Sequence, residues 1–343
     1  MTSGFDELAH ISFVAHVQST GELWPALRPW YRELARNRSR VDAWRDAGWP
    51  GVTIVTRRLL EHWHDETARE YPFYFCQLEA IETLIWWVEA PAEHKQGIHI
   101  PGDGGPWERL CCKMATGAGK TIVMSMLVAW QVANAVAYPK RNKDFSRAIL
   151  FVAPGLTVKE RLRVLYPGEP DNFYDMFGIC PSDAIRQQVN RAEILIENWH
   201  TLMPLKETER SVVKKGAESD EAFTRRVLGR LAVHRDLVVV NDEAHHAYRV
   251  PAESKISKTE AAAQGFDLDE ATRWIEGLDR LHRTRRIQRC FDLSATPFAP
   301  RCCCRAETWK FGALGLPSTW KRSNRPPRNP GVWPGNWTTL NIV

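Results

Sequence analysis

Paired cysteines are missing from this chain. Its eight cysteines, at 76, 111, 112, 180, 290 and 302 to 304, form no CxxC set and have no histidine at a spacing that would close a tetrahedral zinc site. Neither a structural metal nor a disulfide framework is expected. Long hydrophobic runs are missing too. No stretch reaches the roughly 18 to 20 uninterrupted apolar residues of a membrane span, and residues 1–16 show no basic segment leading into an apolar core. The expectation is a cytoplasmic protein with no membrane partner. Cys111 and Cys112 lie in an apolar run and are expected to be buried strand residues.

A charge surplus in the body of the chain is also lacking. The net charge is +5, but from Arg301 onward there are seven Lys/Arg and one acid, and removing that surplus leaves residues 1–300 at −1. Global charge therefore carries no argument for nucleic acid, and such an argument has to come from motifs. What is present is an ordinary globular composition, 44% hydrophobic and 25% charged.

Three stretches differ in texture. Residues 1–66 are rich in Trp, Arg and Pro with little periodicity, apart from a helix expected over 38–47 that Gly48 and Pro50 would end; this N-terminal extension has no evident role. Residues 67–300 alternate short apolar, β-branched runs with helical patterns. Strands are expected at 110–114, 148–153, 193–197, 237–241 and 290–294. Runs such as AILFVA and LVVVN lack alternation, as strands of a parallel sheet covered on both faces do. Residues 122–137 are apolar almost all round, the pattern of a helix buried against a sheet, and 268–286 carry an apolar stripe at 268, 271, 275 and 278. The fold class is α/β, with a parallel central sheet flanked by helices. Residues 301–343 hold four Trp, five Pro and a Cys triplet without period. This irregular basic tail reads either as non-native sequence, such as a shifted frame, or as a basic arm for nucleic-acid phosphates.

The strongest local signal is ATGAGKT at 115–121, between an expected strand and an expected helix. Gly117 and Gly119 let the backbone curl so that its N–H groups face inward, and with Thr116 and Ala118 they would cradle phosphate at the positive end of the helix dipole. Lys120 would reach the β- and γ-phosphates of ATP, and the Thr121 hydroxyl would ligate Mg²⁺. A second signal, NDEAHHA from Asn241, closes an apolar strand, where carboxylates of a parallel sheet face a ligand crevice. Asp242 would hold Mg²⁺, Glu243 would polarise the attacking water, and His245 would link this site to the rest of the molecule. The third, Ser294-Ala295-Thr296, is by itself an ordinary turn sequence.

Taken in order, ATGAGKT, DEAH and SAT, each closing a strand, resemble motifs I, II and III of superfamily-two helicases across roughly residues 71–298. Met114 stands where the general P-loop has Gly, and ATGxGKT is the variant that superfamily uses. The resemblance implies a RecA-like P-loop NTPase domain, with Ser294 and Thr296 coupling the nucleotide site to motion. It also implies that Gln77, in YFCQLEA, reads the adenine edge. Through APGLTVKERL from Ala153 it implies that Thr157 and Lys159 contact nucleic-acid phosphates. FCQLEAIETLIW, LCCKMATGAGKT, VAPGLTVKERL, NDEAHHAYR and FDLSATPF are most similar to the Res subunits of type III restriction enzymes. That similarity implies an ATPase that moves on duplex DNA beside a modification methyltransferase subunit. One segment departs: IENWH from Ile196 carries Glu197 where the family has Thr. A carboxylate repels phosphate, so no strand contact is assigned to it; Trp199 and His200 are expected to be packing residues.

In such motors ATP sits between two RecA-like lobes, and the second supplies an arginine. Only about 45 residues follow SAT here, short of another domain, and an arginine finger contributes about 10³ to 10⁵ in rate. The expectation is weak Mg-ATP binding and slow hydrolysis unless a partner chain completes the site. Two other functions stay open at this point: a superfamily-two motor for another DNA or RNA process, and a nucleotide-binding fragment without turnover.

Overall fold

The computed structural model describes residues 38–98, 103–114, 117–205, 218–247, 249 and 268–295. Five strands form one sheet, all parallel: β1 (Glu108–Lys113), β2 (Ala148–Ala153), β3 (Glu193–Asn198), β4 (Leu237–Asp242) and β5 (Ile287–Ser294), in the order β1-β5-β4-β2-β3. The expected strands are all there, with ends shifted by up to three residues. The tail from 301 lies outside the described residues.

Apolar runs without alternation are explained by the two faces of this sheet. Ile149, Phe151, Val238, Val240, Phe291 and Leu293 point into one core, and their neighbours Leu150, Val152, Leu237, Val239 and Cys290 into another. With both faces covered, every position in a central strand can be apolar. Cys111 and Cys112 are fully enclosed, as expected. At the edge, β3 alternates half-buried with buried residues.

The first face is covered by α1 (Ile54–His64), α2 (Phe75–Glu89), α3 (Lys120–Ala137) and α5 (Asp183–Val189), with the short α4 (Leu156–Arg161) after β2. By length and composition α3 could cross a membrane, but 67% of it is buried inside the protein. Every residue from Val123 to Asn134 is enclosed, so its apolar surround is that of a core helix. The second face is covered by α6 (Asp220–Leu228) and α7 (Leu268–Arg285). On α7 the buried stripe is Ala271, Trp274, Ile275, Leu278 and Leu281; Trp274 extends the expected pattern, and the Leu268 side chain lies outside what is described. Gly277 lets α7 approach Leu202, whose backbone oxygen and Cβ would collide with any side chain there. Trp199 stacks on Trp274 with rings 5° from parallel, and His200 Nδ1 lies 2.6 Å from Asn198 Oδ1. Trp199 packs, as expected, whereas His200 lies exposed against its ring.

The boundary expected at residue 67 falls inside the first core. The helical segment 38–46 and α1 contribute Val41, Trp44, Leu59, Leu60 and Trp63 to the same cluster as α2, α3 and the sheet. A buried polar seam joins them. Glu82 on α2 accepts from the Arg45 guanidinium (2.6 Å) and Trp49 Nε1 (2.9 Å), and His64 Nε2 stands 2.9 Å from its carboxylate. Glu89 accepts from Thr53 N, Thr56 Oγ1 and Trp130 Nε1 at 2.7 to 2.9 Å. Residues 38–66 thus pack as part of the lobe.

Candidate active site

A parallel sheet aims the ends of its strands at one edge, and there the three sequence signals meet. After β1 the chain passes Met114, whose N–H donates to the Ser294 carbonyl at 2.9 Å, joining the P-loop strand to the end of β5. Ala115 and Thr116 lie outside the described residues. Gly117 and Gly119 both have φ of +83°, the left-handed region that glycine enters without steric cost. Gly119 caps α3, and Ile122 N–H returns to its carbonyl at 2.9 Å. Lys120 and Thr121 then open the helix at its positive end.

Lys120 reaches across to the DEAH segment. Its Nζ stands 3.2 Å from Glu243 Oε1. Asp242, the last residue of β4, is 8% exposed and accepts from Glu243 N–H at 2.9 Å. Burial, and then the neighbouring Glu243, raise the Asp242 carboxyl above its ordinary pKa, against the pull of Lys120. Glu243 has φ of +48°. This left-handed kink in a non-glycine residue ends the strand and turns its carboxylate toward the P-loop. His245 Nδ1 lies 3.0 Å from Ser294 Oγ and 3.4 Å from Glu243 Oε2, so His245 connects the carboxylate to the end of β5. Thr296 lies outside the described residues.

Gln77 is 2% exposed and braces the P-loop. Its Nε2 donates to the Ala118 carbonyl at 3.1 Å, and its Oε1 accepts from Tyr74 N–H at 3.0 Å. The resemblance implied an adenine contact; the geometry adds a structural task. Exposed Tyr71, Tyr74 and Phe75 lie just before it in the chain.

At the other end of this edge, Thr157 is exposed at the start of α4. Lys159 Nζ, expected to be aimed at phosphate, is held 2.9 Å from Glu197 Oε2. The residue that departs from the family pattern is thus the partner of the lysine that follows it.

Sequence reasoning missed a charged network beneath the site. Arg109 on β1, in a side-chain environment almost closed to water, pairs with Asp292 on β5 and with Asp103 (3.0 Å), and donates to the Ala247 carbonyl at 2.7 Å. Asn241 donates to Asp292 Oδ1 at 2.8 Å and accepts from Trp274 Nε1 at 3.2 Å. Asp103 also holds Arg249, which Asp279 grips with both oxygens at 2.6 and 2.7 Å. The available signal was a charged residue inside each of two otherwise buried strands, ERLCCK and FDLS.

The residues fit a magnesium nucleotide. Gly117 leaves open space where a side chain would stand, the Lys120 cation and Asp242 carboxylate sit on facing elements, and Thr121 follows Lys120. Among the described residues no group of three His, Cys, Asp or Glu side chains could hold a metal alone. A P-loop magnesium needs only a hydroxyl, a carboxylate and the phosphates themselves.

Fold and site together define a RecA-like P-loop ATPase lobe. Comparison with known families finds one whose description is type III restriction enzyme, res subunit, matching residues 70–298. The chain belongs to that family, and the matched part is a helicase-like ATPase motor domain. Comparisons with curated proteins and with solved structures return no match.

Proposed function

We propose that this chain is the ATP-hydrolysing lobe of a restriction-type motor that moves on duplex DNA in the cytoplasm, beside a modification methyltransferase subunit. The observation that carries the proposal is the line of contacts that runs from Lys120 to Glu243, from Glu243 to His245 and from His245 to Ser294. The family match supplies the class of motor.

The chemistry assigned to each residue follows from its position. Backbone N–H groups of residues 117–120 and the Lys120 ammonium bind the phosphates of ATP and offset their charge. Lys120 exchanges Glu243 for phosphate, which frees the carboxylate. Glu243 then accepts a proton from the attacking water, a general-base contribution of about 10² to 10⁴ in rate. Thr121 and Asp242 would hold Mg²⁺, which supplies further charge neutralisation on the transferred phosphoryl group. His245, bridging Glu243 and Ser294, relays the state of the site to the end of β5.

The test is ATP hydrolysis by the purified chain with and without duplex DNA and with RNA, beside Glu243→Gln. The expected outcome is slow turnover by the chain alone, stimulated by duplex DNA and reduced about 100-fold in the variant, with nucleotide binding retained. RNA-stimulated turnover would point to another superfamily-two process. Nucleotide binding without turnover in either protein would mean a lobe that acts only when completed by a partner.

A further inference from the structure

We propose that Glu197 is a resident counter-ion for Lys159, which passes between this carboxylate and a backbone phosphate, so that nucleic acid is held weakly at this contact and released readily. The inference rests on the reading of Thr157 and Lys159 as a strand-binding edge and assigns to that edge a residue that regulates it.

The parallel register of β2 and β3 sets Glu197 beside Val152, one residue from the end of each strand. The chain leaves β2 at Ala153 and enters α4 at Leu156. This short crossing returns Lys159 over the end of β3, where its Nζ meets Glu197 Oε2 at 2.9 Å. Thr201 Oγ1 donates to the same carboxylate oxygen at 3.2 Å. Both charges reach solvent, the lysine side chain 31% and the glutamate 21% exposed. Leu156 and Thr157 stand exposed on the first turn of the same helix.

Charge and geometry then decide the effect. A phosphate that approaches Lys159 is attracted by one unit charge and repelled by another only slightly farther away. At the intermediate dielectric of a protein surface the two terms are of similar size, and the pair presents little net charge to a strand. Glu197 can only accept hydrogen bonds when ionised, so it contributes nothing to phosphate and competes for the one cation there. Such exchange suits a machine that must let go of its track at every step: the lysine moves from one anion to another without passing through an unpaired state.

A purely structural account is available, in which Glu197 ties the end of β3 to Thr201 and its charge is incidental. Glu197→Gln separates the two, because the amide keeps the size and an acceptor for Thr201 and loses the charge. Fluorescence anisotropy of labelled duplex DNA with the full chain, over about 50 to 200 mM salt, is the measurement. The variant should bind roughly threefold to tenfold tighter at the lowest salt, the effect of one surface charge. The slope of log affinity against log salt should steepen by about 0.9, one more released counter-ion. Lys159→Gln alone leaves the Glu197 carboxylate without its cation and should weaken binding by a similar factor, and in the Glu197→Gln background it should remove the whole gain. Equal affinity and slope for wild type and Glu197→Gln would overturn the proposal and leave the strand-binding edge standing, and so would weaker binding by the variant. If none of these proteins binds duplex DNA at the lowest salt, the strand-binding reading fails and the proposal fails with it.

Discussion

Gly119 has two separate reasons to be glycine. Its φ is +83°, and a Cβ at this position would overlap the Gln77 amide nitrogen. Gly117 has the same φ but open space around it, so only the first reason applies. A left-handed conformation costs an ordinary residue about 1 to 2 kcal/mol, a loss both alanine variants share. Gly119→Ala adds displacement of Gln77, which holds Ala118 and the start of α2. Thermal melts should therefore show Gly119→Ala lower than Gly117→Ala, and Gln77→Ala should recover part of the difference when combined with Gly119→Ala. Equal melting points for the two alanine variants would mean that Gln77 yields without cost.

Between elements, the Arg109 and Asp292 pair ties β1 to β5 inside a side-chain environment almost closed to water. Removal of one partner strands a charge, and that costs about 3 to 5 kcal/mol. Arg109→Met should lower stability to urea by that amount. Asp292→Leu in the same chain should restore most of it, since an apolar pair is tolerated where an ion pair was. Turnover should not recover in parallel. Arg109 also donates to the Ala247 carbonyl, just past the DEAH segment, and Asp292 holds Asn241, just before it. The double variant should thus be stable and still slow, a split that urea denaturation and hydrolysis assays together would reveal. Recovery of both would reduce the network to packing.

For the molecule as a whole, the lobe begins well before residue 67. Trp44, Leu59, Leu60 and Trp63 are buried in the core that α2 and α3 share with the sheet. Each large apolar side chain contributes about 1.5 to 3 kcal/mol by burial, and four of them together rival the ~5 to 15 kcal/mol of a whole domain's stability. A chain started at residue 67 should be poorly soluble or melt far below the full chain, as expression yield and circular dichroism would show. A stable product would mean that residues 38–66 only decorate a lobe complete without them.

The strands and the buried helix α3 were legible because burial on both faces leaves an unbroken apolar run, a signal carried by neighbouring residues. The P-loop and DEAH segments were legible for a related reason: phosphate binding and water activation need particular residues at short fixed spacing, as in Gly117, Gly119 and Lys120. The sequence by itself thus determined the fold class and the segments that gather at one edge of the sheet. Only the tertiary structure decided which distant residues answer one another. Lys159 meets Glu197 across 38 positions, Arg109 meets Asp292 across 183, and Trp44 joins a core that extends to Leu293 on the last strand. No local pattern encodes such pairs, because the order of strands in the sheet brings them together, and that order follows from how helices cover both faces at once.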